Sequence, residues 1–556
     1  MKHILICIVL FFVANCMFAQ TGSRYRVSFT DKDSSVYSIH KPEEFLSLRA
    51  LERRDNFSIP VTHNDIPVNQ WYIDTILTYN TTLCNTSKWF NSIVIAVDSV
   101  HEHKVVQKIT KLPFVRECVR VAQLTEAHPQ RVTLADTVTP KTHRFTDISM
   151  LSAESFYGIS YDQIAIVNGI DMHKDGYMGK GMRIAVLDAG FLHVDSAQVF
   201  QHLWQNNQII EYKDFSGKNI DVFEEANHGA AVLSLIGGYV SGKMVGTAPQ
   251  AEYLLLRTEE GATEYPVEEE NWIAAIEFAD SAGADVINTS LGYSTFDEDS
   301  MDYSYDDMNG QSARISQASQ IAAAKGMLLV TSAGNSGHSD WRYITAPADA
   351  DSIITVGAIN RDSTVAFFSS RGPSVDDRVK PEVATLGVRP AVMQAAGNVE
   401  QASGGTSFSA PLMTGMVACL WQEFPDVPPQ KIREAVIASS HLFHTPNDLY
   451  GYGIPDFQKA RKYLRLELYE SLLQYARVYP NPFSSQLKFD ILYADYDTLQ
   501  IQIFSSMGKV MVSEQIPLTS YVTEYEIDDL NFLQEGVYVV IVSCGTVHYV
   551  QKIQKI

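Results

Sequence analysis

The sequence predicts an α/β protein: a doubly wound, mostly parallel sheet preceded by an α+β segment and followed by a small all-β sandwich. Three observations predict this. Between about 155 and 465, apolar runs such as MRIAVLDAGF (182–191), AEYLLLRT (251–258), ADVINTSLG (284–292) and MLLVTSAGN (327–335) alternate with helical patterns such as NWIAAIEFADSAG and ISQASQIAAAKG. Short apolar strands separated by longer helices bury both faces of a parallel sheet. Upstream, the strand-like YRVSF and SIVIAV flank the helical PEEFLSLRALERR and lead into a polar linker, HPQRVTLADTVTPKTHRFTDIS (128–149). Downstream, QLKFDILY, TLQIQIFSS, KVMVSEQI and GVYVVIVSC alternate with period two between turn clusters and without helices, as in a β-sandwich.

These shifts divide the chain into 1–19, 20–155, 156–465 and 474–556. The first segment, MKHILICIVLFFVANCMFA, has one Lys, a short apolar centre and a small residue at its end. It reads as an export signal cut after Ala19, with a lipoprotein signal at Cys16 as the rival. No other stretch is long and apolar enough to span a bilayer. With 43 basic against 65 acidic residues, the formal charge of −22 argues against nucleic acid and anionic membranes as partners. Of the six cysteines, Cys7 and Cys16 leave with the signal. Cys84 and Cys118 could pair in an oxidising compartment, and Cys419 and Cys544 read as small core residues.

In a parallel sheet chemistry gathers at the carboxyl ends of the strands. Asp188 follows RIAVL, His228 stands in ANHGAAVLSLIGG at a helix start, Asn335 follows LLVTSAG, and Ser407 stands in GGTSFSAPLMTG. Each alone has a plainer role as a turn residue, a cap or a core histidine. Together they supply what acyl transfer to a serine requires. The hydroxyl needs an adjacent base, the imidazole needs a carboxylate on its other nitrogen, and the oxyanion needs donors, here an Asn amide and a helix-start N–H.

The blocks AVLDAGF, NHGAAVLSLIGG, VTSAGNSG and GGTSFSAPLMTG resemble the Asp, His, Asn and Ser blocks of the subtilisin-like serine peptidases, in that family's order. INTSLGYS, FFSSRGPS and GYGIPD resemble supporting blocks, so the likeness covers roughly 160 to 460. It implies Ser407 as nucleophile, His228 as general base and acid, Asp188 as the orienting carboxylate and Asn335 as oxyanion donor. It places Ser290, Leu291 and Gly292 on the strand that pairs with the substrate backbone, and Ala333 and Gly334 on a wall of the S1 pocket. KPEVATLG departs from the family pattern, having Leu386 before Gly387 where Pro is usual. The insertion YSTFDEDSMDYSYDDMNG carries Asp297, Glu298, Asp299, Asp302, Asp306 and Asp307. Either it is a solvated acidic loop, or Asp297, Asp299, Asp302 and Asp306 contribute to a calcium site; the chemistry itself requires no cofactor.

The segment between the signal and the peptidase-like region resembles a propeptide, cut between about 145 and 160. The end of the chain, with YPNP, GK, GVY and a terminal lysine in order, resembles the type A sorting domain of the type IX secretion system of Bacteroidetes. The resulting expectation is a secreted or surface serine endopeptidase made as a self-processed proenzyme, monomeric, acting on protein or peptide substrates and handled by the type IX machinery. The alternatives are a non-catalytic surface adhesin on the same scaffold, which a missing triad member would have favoured, and an α/β-hydrolase esterase. The latter requires GxSxG with His last in order, and GTSFSA meets neither condition.

Overall fold

The computed structural model describes residues 22–124, 145–146, 148, 151–217, 220–261, 263–472, 477–492, 498–517, 522–544 and 547–556. The expected export signal with Cys7 and Cys16, nearly all of the 128–149 linker, and the side chain of Cys544 lie outside the described residues.

The central region is built on a seven-stranded sheet. In spatial order its strands are Val383–Leu386, Ile354–Ile359, Leu328–Ser332, Val286–Thr289, Arg183–Asp188, Glu252–Arg257 and Ile209–Asp214. Every pairing in it is parallel. Side chains alternate between the faces, which explains the continuous apolar runs. Ile184, Val186, Val286, Leu328 and Val330 point to the face covered by the helices His228–Gly237 and Thr406–Glu423. Ala185, Leu187, Leu254, Leu256, Ile287 and Leu329 point to the opposite face, where Trp272 and Ile276 of Val267–Ser281 and Ile315 of Arg314–Ala324 pack. Burial of each Leu or Ile contributes roughly 1.5–3 kcal/mol to holding the strand ends fixed.

The N-terminal segment is an antiparallel four-stranded sheet in the order Thr81–Ser87, Ser92–Asp98, Gly22–Phe29, Val115–Leu124. Gln70–Leu77 and Glu102–Ile109 close one face over Val27, Phe29, Ile73, Ile76, Ile95 and Ile109. Cys84 and Cys118 are both free. They sit on opposite edge strands, and three spacings of about 4.8 Å exceed the roughly 7 Å that a disulfide can bridge.

The other face of this sheet lies on the central region. Val94, Val121 and Ala122 pack against Val267 and Tyr265, and ion pairs surround that contact. Arg24 meets Glu260, Arg26 meets Glu270 at 3.0 Å, and Arg120 meets Glu298 at 2.7 Å. Deeper in the interface, the buried Asp280 accepts from Arg53 at 2.6 Å and from Arg54 at 2.8 Å, while Lys325 reaches Asp65 at 2.7 Å.

The C-terminal segment forms two antiparallel sheets. One is ordered Arg477–Tyr479, Leu487–Leu492, Val522–Ile527; the other is ordered Val510–Pro517, Thr498–Ser505, Gly536–Cys544, Val547–Lys555. They enclose Phe489, Leu499, Ile501, Ile503, Val540 and Ile553. Among the described residues no helix is long and apolar enough to cross a membrane.

Candidate active site

Asp188 is the last residue of its strand and is fully buried. The Thr258 N–H donates to its carbonyl at 3.0 Å, and the Ala189 N–H donates to its carboxylate at 2.8 Å. His228 opens the helix that crosses this strand end, and its Nδ1 stands 2.7 Å from Asp188 Oδ1. Gly229 permits the approach, because a Cβ there would lie 2.4 Å from the Gly190 carbonyl and 2.9 Å from Asp188 Cβ. The glycine after the histidine is therefore a packing requirement of the site. The Asp188 carboxylate holds the His228 pKa above its ordinary value. Burial opposes this, and the more distant charge of Glu259 adds to it.

Glu259 was not singled out in the sequence. It is buried two residues past its strand and accepts from Tyr293 Oη at 2.7 Å and Thr258 Oγ1 at 2.9 Å. Burial pushes its carboxyl up to about 7. Its position in RTEEG, directly after a strand end, was the available signal.

Ser407 is the second residue of the helix Thr406–Glu423. The helix has no cap from its own preceding side chain. Instead Asn335, just beyond the strand Leu328–Ser332, offers Oδ1 to Thr406 N at 2.9 Å and to Thr406 Oγ1 at 3.0 Å. An orphan N–H of the helix start is thus satisfied from across the cleft. The same contacts fix which end of the amide faces Thr406, leaving Nδ2 available. A Cβ on Gly405 would lie 3.8 Å from Ser407 N and 3.9 Å from Asn335 Nδ2. Two donors therefore border one small space.

Ser407 Oγ donates to the Ser290 carbonyl at 3.1 Å rather than to His228. Ser409 Oγ is buried and turns back to the Thr406 carbonyl at 2.9 Å, so its role is packing. Ser290, Leu291 and Gly292 continue the strand Val286–Thr289, and Ser332 Oγ donates to the Leu291 carbonyl at 3.4 Å. Ala333 and Gly334 stand beside them at the end of the adjacent strand.

The candidate calcium carboxylates are not brought together. Asp297 accepts from Glu264 N at 3.2 Å and Asp302 from Phe296 N at 2.6 Å, so both brace the loop internally. Among the described residues no group of three or more His, Cys, Asp or Glu side chains converges as a metal site.

A buried carboxylate on an imidazole, a serine at a helix start and paired donors beside it, all at the ends of parallel strands, define the serine peptidase class. Within that class, residues 179–453 belong to the subtilase family, whose Peptidase S8 model they match. Residues 24–135 match the Bacteroidota peptidase S8 propeptide domain, and residues 477–555 match the secretion system C-terminal sorting domain. The sorting domain marks the chain for the cell surface or the medium. Serine protease AprX of Bacillus subtilis (strain 168) is 27% identical over 305 residues, which are 50% of this chain and 65% of that protein. Subtilisin E of the same organism is 25% identical over 308 residues, 55% of this chain and 70% of the relative. The chain thus spans slightly less than two thirds of AprX. In fold it resembles fervidolysin from Fervidobacterium pennivorans, with a TM-score of 0.51 at 18% identity over 94% of this chain and 71% of that one. It also resembles the epidermin leader peptide processing protease of Staphylococcus aureus, with a TM-score of 0.51 at 15% identity over 80% of this chain and 98% of that one.

Proposed function

We propose that the protein is a secreted serine endopeptidase, produced as a self-processed proenzyme, that hydrolyses peptide bonds through an acyl-enzyme on Ser407. The observation that carries this reading is the 2.7 Å contact between the buried Asp188 carboxylate and His228 Nδ1. It fixes the tautomer with Nε2 free to take a proton and stabilises the imidazolium that results. His228 then takes the Ser407 hydroxyl proton as Oγ attacks the scissile carbonyl, and returns it to the leaving amine. The oxyanion is received by Ser407 N and Asn335 Nδ2, at the positive end of the Thr406–Glu423 helix.

The resting bond from Ser407 Oγ to the Ser290 carbonyl gives substrate binding a part in arming the serine. An extended peptide laid along 290–292 needs backbone acceptors, and the Ser290 carbonyl is one. A substrate N–H that takes this acceptor releases Oγ to the imidazole.

Residues 22–124 act as an inhibitory and folding partner, held by Arg24, Arg26, Arg53, Arg54 and Arg120 against carboxylates of the peptidase. Treatment of the secreted protein with a fluorophosphonate probe tests the central assignment. Ser407→Ala is expected to abolish labelling and Ser409→Ala to preserve it; labelling that survives Ser407→Ala refutes the proposal.

A further inference from the structure

We propose that Glu259, in its neutral acid form, is a positioning residue of the triad: its O–H serves the oxygen of Asp188 that His228 does not use, directly or across one water. This rests on the peptidase reading above. Asp188 Oδ1 accepts from His228 Nδ1 at 2.7 Å and from Ala189 N at 2.8 Å. Asp188 Oδ2 is buried and has no hydrogen-bond partner among the described residues. Buried carboxylate oxygens are ordinarily paired. With both donors on one oxygen, moreover, the carboxylate can swing about that oxygen and carry the imidazole with it.

The sheet order brings Glu259 to this place. The strand Arg183–Asp188 lies between Val286–Thr289 and Glu252–Arg257. Tyr293 follows the first of these neighbours and Glu259 the second. Tyr293 Oη nevertheless donates to Glu259 Oε1 at 2.7 Å. Strands about 4.8 Å apart put the two outer ends about 10 Å from each other, so this bond passes over the end of the Asp188 strand. Both anchors are fixed. Tyr293 is buried and bridges to Ala346 through N–H···O contacts of 2.8 and 3.0 Å, and Thr258 N donates to the Asp188 carbonyl at 3.0 Å. Thr258 Oγ1 donates at 2.9 Å to the same Glu259 Oε1. With both donors on Oε1, the acid proton belongs on Oε2.

Two carboxylates sharing one water-poor site keep a proton between them. Burial pushes Glu259 up to about 7; the Tyr293 and Thr258 bonds oppose this, the Asp188 charge adds to it, and Arg257 opposes it. Glu264 and Glu268 also face Glu259, and its charge reaches His228. When Glu259 loses its proton, Asp188 Oδ2 loses its donor and gains a negative neighbour. The orientation of the imidazole then loosens.

The test measures kcat and KM from pH 5 to 9 on the full chain after maturation. Wild-type kcat should pass a maximum and fall about threefold by pH 9 as the donor ionises. Glu259→Gln has an amide that donates at every pH, so it should keep the maximum within about threefold and lose the alkaline fall. Glu259→Leu has no donor, and its kcat should be about tenfold lower throughout with KM little changed, the worth of one hydrogen bond to a charged acceptor. A Glu259→Gln enzyme with the wild-type alkaline fall, or a Glu259→Leu enzyme with wild-type kcat, overturns the proposal. So does a Glu259→Leu profile equal to that of Glu259→Gln, which would mark a merely structural role. If Glu259→Leu does not fold, the Glu259→Gln profile decides alone. Fluorophosphonate labelling separates the two readings: a labelled enzyme with the wrong profiles refutes only the role of Glu259, whereas an unlabelled wild type refutes the peptidase reading and this proposal together.

Discussion

Ser290 and Ser407 exchange two hydrogen bonds, Ser290 Oγ donating to the Ser407 carbonyl at 3.0 Å and Ser407 Oγ donating to the Ser290 carbonyl at 3.1 Å. The first bond exists because of Pro411. In an uninterrupted helix the N–H of residue 411 would serve the carbonyl of residue 407, and proline has none. The loss frees the Ser407 carbonyl, and Ser290 takes it. The proline thus links the Thr406–Glu423 helix to the run 290–292 that continues the strand Val286–Thr289.

Ser290→Ala should therefore destabilise the peptidase by about 1–2 kcal/mol, as one buried acceptor loses its donor, and should lower kcat by releasing the Ser407 turn. Pro411→Ala supplies the missing N–H, so the double variant should recover most of the stability lost in Ser290→Ala. Urea unfolding of the four proteins of this cycle, made as full chains, checks it. Purely additive losses would refute the link.

The pH dependence follows from the groups around His228. Asp188 raises the His228 pKa above the ordinary value near 6.5, and the base must be neutral to accept a proton. Activity should accordingly fall on the acid side with a midpoint above 6.5. Asp188→Asn removes the largest cause, so the midpoint should move down while the plateau drops by about 10⁴, the magnitude known for this change in another Ser-His-Asp triad. Glu259→Gln should leave the plateau within a few-fold. Because burial holds the Glu259 carboxyl at about 7, its charge develops only above that pH. Its removal should thus lower the midpoint less than Asp188→Asn does. A kcat/KM profile from pH 5 to 9 for the three proteins decides the matter.

Propeptide release should depend on Glu277, in the helix Val267–Ser281. Its carboxylate accepts from Ser87 Oγ and Lys88 N, both at 2.6 Å, and from Trp89 N at 3.0 Å. Glu277→Ala leaves three donors of the N-terminal segment unpaired. At about 1 kcal/mol each this weakens docking by roughly 10²-fold. Burial under this segment pushes the Glu277 carboxyl up to about 7 from 4.5. A carboxyl pKa raised in the docked state means that docking favours the protonated form, so docking should weaken as pH climbs from about 4.5 through 7. Full-length Ser407→Ala, which cannot process itself, nicked by added mature enzyme at one pH, freed of that enzyme and then moved to each test pH, should lose 22–124 on size exclusion faster at pH 8 than at pH 5. Adding Glu277→Ala should speed that loss and flatten its pH dependence; an unchanged time course would count against both points.

The sheet, its helices and the strand-end residues were legible because each is written locally, in short apolar runs and in the polar residue that ends each one. The bare strand pattern of 498–505 and 536–544 was equally readable. What could not be read is long-range. Asn335 supplies the cap of a helix 71 residues further on, and no local pattern marks a cap borrowed across a cleft. Cys84 and Cys118 looked like partners until the strand order put them on opposite edges. Nothing local in the Glu-rich run 268–270 marks it as buried. It is buried because Arg26 and Arg314 approach Glu270, and Tyr303 approaches Glu269, from distant segments.

The two ends of the Asn335 amide perform separable tasks, and substitutions can separate them. Oδ1 anchors Thr406, and Nδ2 is the proposed oxyanion donor. Asn335→Ala removes both and should lower kcat by about 10²–10³; this magnitude is taken from the corresponding asparagine of subtilisin. Asn335→Asp keeps the anchor but sets a negative charge where the oxyanion forms, so its kcat should fall below that of Asn335→Ala while its thermal stability stays nearer the wild type. Gly405→Ala approaches the same space from the other side. The Gly405 backbone, at φ 167°, is extended and admits any residue. Its new methyl group, however, would stand less than 4 Å from both donors. Gly405→Ala should fold and label slowly with fluorophosphonate, with kcat reduced at least tenfold and KM little changed. If Asn335→Asp proved more active than Asn335→Ala, the oxyanion would have to lie elsewhere.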